Sequence, residues 1–194
     1  MLAQHEEAKM KIIDIARNIF THFGFKKTTM EEIAHATRKG KSSIYYYFSS
    51  KEDIFKAVVE KEAEELKEEL YRKISEIEDP IERLKVYITV RMRKLNQLTN
   101  FYTALKSDYL SHLEFIEQIR KSYDLDEIRV VAGIIQDGIE GGKFSVEDPQ
   151  LSAIAIVTAM KGLEVPLFLN KEHANFEVRL NNLINFLFYG IVKR

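Results

Sequence analysis

The chain has 194 residues, 29 basic against 30 acidic side chains, three prolines, eight glycines and no cysteine. Lacking cysteine, it has no disulfide, thiolate metal site or cysteine nucleophile. So little punctuation excludes a sandwich or barrel of many short strands, and no apolar run, such as Phe186 to Val192, approaches the roughly 20 residues that span a bilayer. Residues 1–20 include His5, Glu6, Glu7, Lys9 and Lys11 with no long apolar stretch, so a cytoplasmic protein without a leader is expected. The balanced charge conceals a gradient. Residues 1–52 hold nine basic and six acidic side chains, and within 26–51 the count is six to two. One basic module on a neutral protein suits local phosphate contact, although a solvated charged face has the same composition.

From the N-terminus, Ala8, Ile12, Ile15, Ala16, Ile19, Phe20 and Phe23 recur at steps of three and four and predict an amphipathic helix. Gly24 stands where a left-handed helix end is wanted, with Phe25 free to fold back on the last turn. Thr29-Met30-Glu31-Glu32 reads as a capping box for a short helix whose inner face is Met30, Ile33 and Ala34. Thr37 to Gly40 breaks it, and Lys41 to Phe48 forms another. Ser50 then caps a long helix with the stripe Phe55, Val58, Val59, Ala63, Leu66, Leu70, Ile74 and Ile77. Asp79-Pro80 and Asp148-Pro149 each read as an N-cap followed by proline in the first turn, and Gly141-Gly142 as a stop. Helical patterns cover about 80–98, 99–110, 112–140, 149–168 and 174–192. No strand pattern is evident. The expected fold is all-α, with about nine helices.

The informative stretch runs from Thr28 to Lys51, TTMEEIAHATRKGKSSIYYYFSSK. It predicts two short helices joined by a four-residue break, the second bearing polar and aromatic side chains. The major groove, about 12 Å wide, admits one helix whose short polar and cationic side chains can reach base edges. Thr29, Ser43, Tyr47 and Lys51 can supply phosphate hydrogen bonds, which set register without reading sequence. The alternative is packing: Tyr45, Tyr46, Tyr47 and Phe48 cannot all face DNA, and Phe48, Ile44 and one tyrosine are expected in the core. Composition and period alone leave the choice open.

The pattern Ile12, Ala16, Phe20, Gly24-Phe25, Thr28-Thr29, Ile33-Ala34, Ser43-Ile44-Tyr45-Tyr46-Tyr47-Phe48, Lys51-Glu52 closely resembles the N-terminal domain of the tetracycline-repressor (TetR/AcrR) family. The resemblance covers residues 9 to about 56. It implies an all-helical homodimer in which an N-terminal three-helix helix-turn-helix domain, residues 1–50, binds DNA. Residues 51–194 would form an effector-binding and dimerisation body, linked through the helix over 51–77. By position, it implies that Lys41, Ser42 and Tyr45 face bases, and that Thr29, Ser43, Tyr47 and Lys51 face phosphates. The family commonly has glycine and then a buried apolar residue in the turn, where this chain has Arg38 and Lys39. Arg38 is then expected in a left-handed conformation, uncommon for such a residue, and the Lys39 stem must snorkel. Either the turn is displaced, or these cations gain extra phosphate contacts.

In the body, Arg91 interrupts the apolar face of Leu84, Ile88, Leu95 and Leu98. It is either a cavity cation for an anionic effector, a buried partner of Asp108, Asp137 or a glutamate, or a stripe edge reaching water. Phe101, Tyr102, Tyr109 and Tyr123 line a pocket or pack as core. The last two helical segments are apolar over wide arcs and need cover on two sides. The resemblance places the dimer bundle there, with Val157, Met160, Leu180, Leu183 and Leu187 as candidate interface residues. Neither catalytic nor metal-ligand residues are expected, because the five histidines lack ligand spacing and there is no nucleophile elbow or phosphate-cradling loop; no cofactor is expected either. Paired glutamates at 64–65 and 68–69 read as solvated faces. The expected protein is a transcriptional regulator, a repressor released by a small-molecule effector, acting as a homodimer on a palindromic operator in double-stranded DNA without membrane attachment. The competing reading is a small-molecule sensor or carrier that has lost specific DNA binding.

Overall fold

A computed structural model of the protein describes residues 2–106, 114–169 and 173–190, and the described residues fold into helices α1 to α9 without strands. The apolar period of α1 (Leu2–Phe23) buries Ile12, Ala16 and Phe20, and Gly24 ends the helix at φ +77°, its N–H donating to the Phe20 carbonyl at 2.8 Å. The chain turns back there, so that Phe25 joins Phe20 and Phe55 in a three-ring cluster with centroids 4.8–6.0 Å apart. α2 (Met30–Ala36) starts on the expected capping box: the Glu32 N–H donates to Thr29 Oγ1, and the Thr29 N–H donates to Glu32 Oε2. α3 (Lys41–Tyr47) follows, anchored by Ile44 and, just beyond its end, Phe48.

The chain divides into two compact units: Met1–Glu65 with Leu98–Ile119, and Leu66–Gln97 with Arg120–Arg194. The segment expected to bind DNA, 1–50, lies wholly in the first. α4 (Lys51–Ile74) contributes to both units and stops at Ile74, three residues before the expected end. In the first unit α4 supplies Ile54, Phe55, Val58 and Val59, and then a buried Glu62 where the sequence stripe suggested Ala63. Glu62 accepts from Arg17 Nε at 3.0 Å, from Asn100 Nδ2 at 2.9 Å and from the Phe101 N–H at 2.6 Å, which joins α1, α4 and the start of α6 (Thr99–Lys106). Glu65, expected on a solvated face, receives both terminal guanidinium nitrogens of Arg17.

The second unit is built from α5 (Pro80–Gln97), most of α7 (Glu114–Glu140), α8 (Pro149–Leu169) and α9 (His173–Tyr189). Its core includes Leu84, Ile88, Met92 and Leu95 of α5, Val131 and Ile135 of α7, Ala153, Val157 and Met160 of α8, and Leu180, Leu183 and Ile184 of α9. Asp79 and Asp148 cap α5 and α8 as expected. Gly190, at φ +67°, ends α9 short of the expected residue 192 by the same 5→1 carbonyl bond that ends α1. After α7, Phe144 folds back so closely that a Cβ on Gly138 would stand 2.0 Å from its ring. Gly138 therefore serves the helix as the floor of a ring contact.

Candidate nucleic-acid interface

The turn between α2 and α3 is formed, not displaced. Thr37 closes α2, the Arg38 N–H donates to the His35 carbonyl and the Lys39 N–H to the Ala34 carbonyl, both at 3.0 Å. This is the paired bonding of a Schellman motif, with Arg38 in the left-handed position at φ +55°. Glycine holds that position freely, whereas a residue with a Cβ does so at a cost of about 1–2 kcal/mol. Arg38 is exposed and Lys39 half-buried, its ammonium 5.8 Å from the centroid of the Tyr47 ring.

The turn orients α3 so that Ile44 and Phe48 face inward while Lys41, Ser42, Tyr45 and Tyr46 face solvent, with Ser43 and Tyr47 between. None of the three tyrosines is buried, and Tyr46 is 72% exposed, which corrects the expectation that one would be core. The exposed face thus combines a cation, a hydroxyl and two phenols, the chemistry that pairs with base edges and phosphates. Thr29 is exposed at the start of α2, with its hydroxyl donating to Glu32.

Two of the candidate cations already have protein partners. The Lys51 ammonium donates to the Phe25 carbonyl at 3.0 Å and lies 4.4 Å from that residue's ring centroid, so it also pins the α1–α2 turn. Lys41 pairs with Glu31 of α2 and lies 6.0 Å from the Tyr45 ring. The hydrogen bond from Lys41 holds the Glu31 carboxyl below the usual carboxylate range, and the same bond raises the Lys41 ammonium. A further residue, missed in the sequence, joins this surface. His5 in the first turns of α1 sets its ring 4.8 Å from Tyr47 and 5.5 Å from Tyr46. A contact across some forty residues leaves no periodic trace.

Among the body candidates, Arg91 has no exposure. It binds Glu127 of α7 through two nitrogens and Glu164 of α8 at 2.6 Å, and the Tyr87 hydroxyl donates to the same Glu127 at 3.3 Å. Burial works against the Arg91 charge, but Tyr123, Glu127 and Glu164 outweigh it and hold the guanidinium well above its ordinary pKa. Arg91 is therefore the centre of a buried ion cluster and has no spare charge for an anionic ligand. Its partners are glutamates, not Asp137, which pairs with Arg83 at 2.6 Å; Asp108 lies outside the described residues. Phe101 is buried in the first unit, while Arg91 and Tyr123 belong to the second. Tyr109 and the Tyr102 side chain lie outside the described residues.

Of the interface candidates, Val157, Met160, Leu180 and Leu183 are buried within the chain's own core, and Leu187 is half-buried. Their helices present other apolar side chains outward: Leu151 and Ile154 on α8, Val178, Phe186 and Tyr189 on α9, each at least 40% exposed. With Ala155, Thr158 and Gly162, also exposed, the α8 residues form a continuous helical face.

Residues 12–58, which contain α2 and α3, match the family described as bacterial regulatory proteins, tetR family. The HTH-type transcriptional regulator QacR of Staphylococcus aureus is 23% identical over 189 residues, covering 93% of this chain and 95% of QacR. A transcriptional regulator from Cytophaga hutchinsonii superposes with a TM-score of 0.77 at 29% identity, over 91% of this chain and 94% of that one. FadR of Bacillus subtilis, solved with stearoyl-CoA, gives 0.77 at 21% identity, over 94% and 99%.

Proposed function

We propose that this chain, which belongs to the TetR family of bacterial regulatory proteins, is a sequence-specific DNA-binding repressor whose α3 enters the major groove. The observation that carries the reading is α3 itself: a helix fixed by Ile44 and Phe48 that presents Lys41, Ser42 and Tyr45 outward from a closed turn. Lys41, Ser42 and Tyr45 would meet base edges. Thr29, Ser43, Tyr47 and Lys51 would meet phosphates, joined by Arg38 and Lys39 from the turn. The competing reading, a sensor that has lost DNA binding, would find support in a displaced turn at Arg38-Lys39, and the turn is hydrogen-bonded in place.

The active species would be a homodimer, because two recognition helices set about one DNA turn apart match a palindromic operator. Its seam would be the exposed faces of α8 and α9, with Leu151, Ile154, Phe186 and Tyr189 in place of the buried residues first expected. Release by a small-molecule effector in the second unit is supported by a fold neighbour solved with stearoyl-CoA. Arg91, already committed to two carboxylates, is not the anchor for such a molecule. The protein would work in the cytoplasm without catalysing a reaction; no helix among the described residues is long and apolar enough to cross a membrane. A mobility-shift titration on the DNA upstream of its own gene tests the reading. Retardation at nanomolar protein that survives excess random duplex supports it, and retardation no stronger than on random duplex refutes it.

A further inference from the structure

The ion pair between Lys41 and Glu31 links the first turns of α2 and α3 and is separate from the capping box that starts α2. Glu32, not Glu31, closes the box with Thr29, and Gly40, which precedes α3, offers it no side-chain cap. Both partners are more than half exposed, at 54% and 62%, and stand on the surface that would meet DNA. The Lys41 ammonium is thereby held between a carboxylate and the Tyr45 ring.

We propose that Glu31 is a specificity-determining residue, which tethers Lys41 so that its ammonium serves a guanine edge better than a phosphate. This rests on reading α3 as the recognition helix. The chemistry is a matter of donors and charge. An ammonium has three N–H donors. With one on Glu31, two remain, and guanine offers two major-groove acceptors, O6 and N7. Guanine is neutral, so the carboxylate can stay where it is while the ammonium bridges both groups. A phosphate is an anion, so reaching it brings Glu31 against like charge or breaks the pair. Free lysines on such a surface strengthen binding to every sequence, each adding about 0.9 to the log–log salt slope. Glu31 removes that indiscriminate share from Lys41 and leaves the discriminating one.

The test compares wild-type protein with Glu31→Gln, alone and combined with Lys41→Met, on a duplex selected by the wild type and on a scrambled duplex, through a salt series. For Glu31→Gln, affinity for scrambled DNA should rise about two- to fivefold per chain, the range of an exposed ion pair, and its salt slope should steepen by about 0.9 per chain. Affinity for the selected duplex should change less, so the ratio between the two shrinks. In the Lys41→Met background the same change should leave the ratio alone. An unchanged ratio, an equal fall on both duplexes, or an effect that persists without Lys41 overturns the proposal. If the wild type selects no sequence at all, the recognition-helix reading fails first and the proposal falls with it.

Discussion

Replacing Arg91 with methionine separates a buried ion cluster from a ligand anchor. Methionine keeps much of the length of the side chain and removes its charge. The wild-type cluster places Arg91, with no exposure, against Glu127 and Glu164, 3% and 1% exposed, with the Tyr87 hydroxyl on Glu127. After Arg91→Met the two carboxylates face each other's neighbourhood without the cation between them. Removing one partner of a buried pair costs about 3–5 kcal/mol. For a chain of this size each kilocalorie lowers the melting temperature by about 2–4 °C, so the midpoint should fall by roughly 6–20 °C. Replacing the carboxylates as well, as Arg91→Met/Glu127→Leu/Glu164→Met, should recover most of the loss, since an apolar substitute for a whole buried ion group is often neutral or stabilising. Circular-dichroism melts of the three proteins read this directly. A single variant that melts within about 2 °C of wild type, less than the change expected for 1 kcal/mol, would show that Arg91 has no buried partners to lose.

Three further outcomes follow from the same geometry. Arg38→Gly should relieve about 1–2 kcal/mol of left-handed strain and raise the melting midpoint by a few degrees; if Arg38 also touches phosphate, the salt slope of DNA binding should fall by about 0.9 per chain. Ile154→Glu with Phe186→Glu should yield folded monomers by light scattering, because both sites are exposed in the single chain; an intact dimer removes α8 and α9 from the seam. Burial, then the charge of Glu127, push the Tyr87 phenol well above its ordinary value of 10.0, so the folded state prefers the neutral form. That preference is fully present below pH 10 and is lost as pH rises past it toward the folded value. Tyr87→Phe should accordingly move the alkaline unfolding midpoint upward, and an unmoved midpoint contradicts the burial argument.

Local chemistry was legible in the residues themselves. Thr29, Asp79 and Asp148 marked helix starts, Gly24 marked an end, and the left-handed arginine was foreseeable from the missing glycine, because each signal lies within a few residues of its effect. Long-range pairing was not. Glu62 sits one position from a residue that fits the apolar stripe equally well, and its donors come from positions 17, 100 and 101. The partners of Arg91 lie 36 and more residues away among many similar glutamates. For α8, apolar nearly all round, no period distinguishes the side that meets α5 and α9 from the side left bare. Four of the five interface residues first expected, all but Leu187, are therefore ones the chain uses for its own core. The three consecutive tyrosines posed the same difficulty, settled only when Ile44 and Phe48 were seen to anchor α3 without them.

Selection of bound sequences from a random duplex pool shows whether α3 reads DNA in a symmetric dimer. The wild type and variants at Lys41, Ser42 and Tyr45 should be selected in parallel. The wild type should enrich an inverted repeat whose half-sites are centred about 34–36 Å apart or slightly more. Lys41→Ala should relax one symmetric pair of positions by about 1–3 kcal/mol of discrimination while the rest of the site is kept. A pool that stays random through repeated rounds, or an enriched site indifferent to all three replacements, would contradict it.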